Sequence, residues 1–205
     1  MYRQSLAISA MDDQTISIYN KDAESIATLH NTLIPEQIYQ LIDTYFIKDE
    51  ATADIGCGIG RDTAWLKQQG YPVIGIDASS GMLTQANNSH SDIKFIEDYL
   101  PELKLLKDSS FNNILCSAVL MHLSPEALPI ACSRLISLLK EGGRLIISFR
   151  GSSSDDKREN GKLYESIDPS ILRDYFLQQG CTIQLHESEV EESRQLTWHN
   201  LVIKK

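Results

Sequence analysis

The segment Ala53-Asp54-Ile55-Gly56-Cys57-Gly58-Ile59-Gly60-Arg61-Asp62 decides the fold. An apolar run, 51–55, leads into it, and an amphipathic stretch, 60–69, leads out. Three glycines at alternate positions remove side chains where the chain turns sharply, so a ligand can lie against the backbone. A dinucleotide fingerprint reads Gly-x-Gly-x-x-Gly. Here the third glycine follows the second by two residues instead of three. A purely structural tight turn would also use such glycines, so the loop by itself names no ligand.

Working outward, short apolar runs alternate with longer amphipathic ones. The apolar runs are 51–55, 72–76, 93–96, 111–117 and 144–149; the segments 60–69, 79–88, 102–107 and 124–140 between them read as helices. Such alternation predicts an α/β chain with a single doubly wound Rossmann-like sheet, mostly parallel, with helices on both faces. Gly70, Gly142-Gly143 and Gly180 punctuate helix ends, Ser124-Pro125 and Asp168-Pro169 helix starts. The stretch 181–205 reads as two strands, 182–187 and 195–203, around an acidic turn, giving the sheet an antiparallel C-terminal strand. Residues 1–50 read as an N-terminal helical cap in one compact unit with 51–205, and 151–162 as a polar loop without pattern.

The whole chain has 205 residues, with 19 Lys plus Arg against 28 Asp plus Glu, a formal net charge of −9. That is room for one full core, and it argues against nucleic acid as a partner, because phosphate binding needs a basic footprint. Cys57, Cys116, Cys132 and Cys181 form no Cys-x-x-Cys pair, which suits reduced thiols, a cytoplasmic location and no metal. No leader pattern is seen in residues 1–11 and no membrane-spanning apolar run anywhere, so no membrane partner is expected.

As a whole, Asp54-x-Gly56-x-Gly58-x-Gly60 resembles the first motif of the class I S-adenosylmethionine-dependent methyltransferases. Ile76-Asp77-Ala78-Ser79-Ser80-Gly81-Met82, Phe95-Ile96-Glu97-Asp98-Tyr99, Phe111-Asn112-Asn113-Ile114-Leu115-Cys116-Ser117 and Leu139-Lys140-Glu141-Gly142-Gly143 resemble later segments of that family, in order. One departure is Asn112, where the family often has Asp. The resemblance implies S-adenosylmethionine as cofactor. It implies Gly56, Cys57 and Gly58 along its methionyl part, Asp54 supporting the loop and the cofactor's amino group, and Asp77 on the ribose diol. It places Ala78, Met82, Asp98 and Tyr99 at the adenine, Cys116 and Ser117 at the end of the fourth strand, and Tyr19 as a residue closing over the cofactor.

The implied chemistry is in-line displacement at an activated methyl group, which needs orientation more than a universal catalytic side chain. His122, just beyond the fourth strand, is the candidate base if the acceptor loses a proton. Arg150 and Tyr164 are candidate acceptor ligands, Arg150 for a carboxylate or phosphate. Trp198 and His199 read as sheet residues. No Asn-Pro-Pro-Tyr element follows the fourth strand, which together with the charge favours a small-molecule acceptor. The alternatives are a protein side chain as acceptor, or a binding protein without catalysis. The oligomeric state is not legible.

Overall fold

The structure, a computed structural model, describes residues 11–151, 157–192 and 195–205. The reading of residues 1–10 as free of a leader, and that of 152–156, fall outside these. Three helices come first: α1 (Asp13–Lys21), α2 (Ala23–His30) and α3 (Glu36–Tyr45). Strands and helices then alternate as β1 (Thr52–Ile55), α4 (Arg61–Gln68), β2 (Val73–Asp77), α5 (Ser80–Ser89), β3 (Lys94–Glu97), β4 (Phe111–Ser117), α6 (Ala127–Leu138) and β5 (Leu139–Arg150). A hairpin of β6 (Arg158–Glu159) and β7 (Lys162–Leu163), helix α7 (Pro169–Gln178) and strands β8 (Thr182–Glu191) and β9 (Leu196–Lys204) complete the chain.

Seven strands form one sheet in the order β3-β2-β1-β4-β5-β9-β8. β1 through β5 pair in parallel, and β9 runs antiparallel to both β5 and β8. Period-two alternation sends neighbouring residues to opposite faces. Ile114, Cys116, Leu145, Ile147, Leu201 and Ile203 pack with Leu135 of α6 and Phe176 of α7. Leu115, Ile146 and Val202 meet Ile38, Leu41 and Ile42 of α3 and Leu66 of α4 on the other face. The spacing Ile38, Leu41, Ile42 is the i, i+3, i+4 stripe that makes α3 a sheet helix. Only α1 and α2, of the N-terminal helices, are left to cover the ends of the strands.

Three expectations are corrected. Residues 102–107 form turns instead of a helix. Their carbonyls are taken by a side chain: Arg134 donates to Glu102 O, Leu103 O and Leu106 O, and Leu103 sits at φ +44°. Gly142-Gly143 lies inside β5, at a break in register between Leu139, which pairs with Phe111, and Arg144, which pairs with Asn113. The polar loop contains the β6–β7 hairpin, closed by Asn160 and Gly161 at positive φ. Its strands are two residues each, too short to leave a periodic signal.

Candidate active site

A cavity opens at the carboxyl ends of β1, β2 and β4, where ligands bind in open α/β sheets. The space within it, open solvent at its mouth included, is about 960 Å³. Its floor is the glycine loop. Gly56 has φ +75°, and a Cβ there would lie 2.1 Å from Val119 Cγ2. Gly56 N and Cys57 N donate to Ile76 O at 2.7 and 3.0 Å, tying the loop to β2. A Cβ on Gly58 would meet Met82 Cε at 3.3 Å. A side chain at Gly56 would therefore collide with the wall and one at Gly58 would press on Met82, and the absence of both leaves backbone exposed for a ligand to lie against.

Asp77 joins two parts of the floor. Its Oδ2 accepts from Gly58 N and its Oδ1 from Ser79 N, both at 2.8 Å. Burial pushes its carboxyl above the usual range, while the backbone N–H groups of Ser79, Gly58 and Ala78 pull it back. Each oxygen keeps a second lone pair for a ligand hydroxyl. Ser79 caps α5, accepting from Met82 N, and donates to Asn20 Oδ1 of α1. Met82 is thereby set against Ala23, Ala27 and Ile59.

The roof comes from α1. Thr15 and Tyr19, one turn apart, share its inward face. Thr15 Oγ1 donates to Asp12 Oδ2 and accepts from Leu163 N. Asp12 also receives both Nη atoms of Arg158, at 3.0 and 2.8 Å, so α1 is clasped to the hairpin. His122 lies between roof and floor. Its Nδ1 is 2.5 Å from Leu163 O, and its Nε2 is 3.4 Å from Tyr19 Oη. A carbonyl only accepts, so Nδ1 carries the proton and Nε2 the lone pair. The Tyr164 ring meets the imidazole edge-on at 4.9 Å. Burial pulls the His122 pKa down to about 4, which keeps the ring neutral near pH 7. Burial also pushes the Tyr19 hydroxyl upward, so it is a donor and not a phenolate.

Of the residues singled out in the sequence, Tyr19, Gly56, Cys57, Gly58, Asp77, Ala78, Met82, Asp98, Tyr99, Ser117 and His122 all border this cavity. Asp98 also closes the turn after β3, accepting from Tyr99 N and Leu105 N. Four others do not line it. Asp54 is buried behind the loop, where it accepts from Thr63 Oγ1 at 2.6 Å and braces β1 against α4. Burial, with Asp62 nearby, pushes its carboxyl up. Cys116 is fully buried in the core beneath. Arg150 is 3% exposed, because both oxygens of Glu159 bind its guanidinium at 2.8 Å. Tyr164 lies between the Arg150 guanidinium, 4.0 Å from its ring, and His122. Trp198 and His199 stay on the sheet, bonded to Glu191 and stacked on Phe149.

The sequence reading missed Thr15, Ile16, His30, Arg61, Asp62 and Val119, which also border the cavity. Arg61 and Asp62 stood within the quoted loop but are paired to each other. The Thr15–Tyr19 spacing was the available signal for the roof. Among the described residues, no three His, Cys, Asp or Glu gather as a metal site, and no helix is long and apolar enough to cross a membrane.

Comparison with known proteins agrees with this geometry. Residues 53–143 match the model of a methyltransferase domain. An uncharacterized methyltransferase of Alkaliphilus oremlandii is 32% identical over 113 residues, 55% of this chain and 51% of its own length. The chain spans about half the length of the first curated relatives it matches. The fold is shared with 1,6-didemethyltoxoflavin-N1-methyltransferase of Burkholderia thailandensis, solved with its substrate and S-adenosylhomocysteine. That likeness has TM-score 0.66 at 17% identity and covers 100% of this chain and 98% of that one. A SAM-dependent methyltransferase of Methanosarcina mazei superposes with TM-score 0.70 at 20% identity, over 84% of this chain and 98% of that one. The match over residues 53–143 identifies a methyltransferase domain, and the sheet order and the glycine-floored cavity resemble those of the class I S-adenosylmethionine-dependent methyltransferases.

Proposed function

We propose that this protein transfers the methyl group of S-adenosylmethionine to a small-molecule acceptor at the Tyr19–His122 end of the cavity. The observation that carries the reading is the His122 imidazole, with Nε2 unprotonated, bordering the cavity floored by Gly56, Gly58 and Asp77. S-adenosylmethionine supplies, when bound, a methyl group already activated on a sulfonium. Gly56, Cys57 and Gly58 would follow its methionyl part, with Ser117 beside them. Asp77 would hold the ribose diol, and Ala78, Met82, Asp98 and Tyr99 the adenine. Asp54 and Cys116 support this floor from behind.

The remaining task is in-line orientation of the acceptor. His122 Nε2 takes the acceptor's proton, directly or through the Tyr19 hydroxyl. A hydroxyl or thiol acceptor becomes strongly acidic as its new bond to carbon forms, so a base of low pKa suffices for it. Helices α1 and α2 act as the cap of the site. The acidic net charge supports a small acceptor over a nucleic acid, and four free, buried thiols suit a reducing, cytoplasmic setting. The small-molecule substrate of the Burkholderia neighbour supports the same acceptor class.

Incubation of a metabolite extract with methyl-labelled S-adenosylmethionine tests the reading. Label should enter the small-molecule fraction, and His122→Asn should slow the transfer by roughly a hundredfold or more with S-adenosylhomocysteine affinity kept. Label found only in macromolecules would overturn the acceptor class.

A further inference from the structure

We propose that the methyl acceptor carries an anionic oxygen group, a carboxylate or a phosphate, and that Lys162 of β7 is the positioning residue that receives it. The proposal rests on the methyl-transfer reading of the same cavity.

Among the described residues four cations stand in the hairpin region next to the Tyr19–His122 pair, and three of them are already committed; Lys157 pairs with Glu165 at 2.7 Å. Arg150 gives its guanidinium to both oxygens of Glu159. Arg158 gives its own to both oxygens of Asp12. Lys162 is different. Among the described residues no carboxylate lies within ion-pair distance of its ammonium; Nζ sits 4.7 Å over the Tyr19 ring instead. That ring carries the hydroxyl that meets His122 Nε2. The committed pairs cancel, so among the described residues one ammonium without an ion-pair partner remains; Lys162 does not itself border the cavity but lies against the Tyr19 ring, which does.

The surroundings confirm the imbalance. Lys162 is half-buried. Burial disfavours its charged form most; Asp22, not in ion-pair contact, opposes this next, ahead of the unfavourable Arg150 and the favourable Glu159. The charge also reaches the cavity, since His30 in the cavity wall is held below its usual pKa first by burial, then by Arg61 and Lys162. Keeping an ammonium half out of water without a counter-charge is unfavourable, and an incoming oxyanion would relieve it. Lysine suits the role, because its three donors ride on a flexible stem and can swing from the Tyr19 face to a ligand.

The test uses the full chain saturated with S-adenosylhomocysteine, titrated calorimetrically with malonate, inorganic phosphate or neutral malonamide at fixed ionic strength. One of the two anions should bind saturably and malonamide should not; which anion binds tells carboxylate from phosphate. Lys162→Met should weaken that binding roughly tenfold or more, and Lys162→Arg should restore most of it. S-adenosylhomocysteine should bind all three proteins alike, which shows that the variants are folded. Anion binding that is absent, equal in Lys162→Met, or matched by malonamide overturns the proposal and leaves the cofactor reading standing. Failure of the unaltered chain to bind S-adenosylhomocysteine overturns the cofactor reading and the proposal with it.

Discussion

The floor and the roof of the cavity are held by different forces. The floor lies within a short stretch of chain and is built from backbone: glycines at positive φ, N–H groups donated to Ile76 O and Asp77, and a capped helix. The roof is built from side chains brought together over long separations. Asp12 meets Arg158 across 146 positions, Thr15 meets Leu163 across 148, and Tyr19 meets His122 across 103. A floor of backbone tolerates almost no substitution. A roof of polar side-chain pairs can open and close, and can differ between proteins that share the floor.

The sharpest way to break this contrast is at Gly56. Gly56→Ala puts a Cβ 2.1 Å from Val119 Cγ2 at a φ of +75°. It should cost about 3 kcal/mol of stability or more and abolish S-adenosylhomocysteine binding. Denaturant unfolding with calorimetry checks both, and a stable, binding variant would refute the account of the floor. Next comes Asp77→Ala, which removes the proposed ribose acceptor and releases Gly58 N and Ser79 N. Affinity for S-adenosylhomocysteine should fall ten- to a hundredfold, roughly 1–3 kcal/mol.

A pH series probes the join between floor and roof. Burial holds the His122 imidazole down to about 4 in the fold, below its ordinary 6.5. Between those values the unfolded chain binds more protons, so this group's contribution to stability is complete above pH 6.5 and is lost as pH falls towards 4. The loss is about 3 kcal/mol. His30 shifts in the same direction, while Asp54 and Asp77 shift in the opposite one. The difference between unaltered and His122→Gln stability curves therefore isolates the effect; parallel curves would remove His122 from the buried neutral state. The smallest change is expected at the clasp. Arg158 and Asp12 are partly exposed, so Arg158→Met should alter stability by under about 1 kcal/mol yet speed S-adenosylhomocysteine release several-fold in stopped-flow. The clasp itself survives mild acid, because Arg158 holds the Asp12 carboxyl down to about 2.

The same division explains what was legible in the sequence. Gly56, Gly58 and Asp77 could be read because local backbone geometry demands those residue types at those spacings. Strand alternation likewise foretold the sheet and its antiparallel strand. Arg150 was misplaced because its partner, Glu159, lies in a hairpin whose two-residue strands have no period to read. Residues 102–107 looked helical because their apolar spacing was visible, whereas Arg134, which takes their carbonyls, lies some thirty positions away. Asp54 carries a motif position yet acts from behind the loop, a distinction that only burial reveals.

The most direct test of the central claim is calorimetric titration of the full chain with S-adenosylhomocysteine and, separately, with NADH. The account predicts one S-adenosylhomocysteine bound per chain, sensitive to Asp77→Ala, and no heat with NADH; binding of NADH without S-adenosylhomocysteine would contradict it.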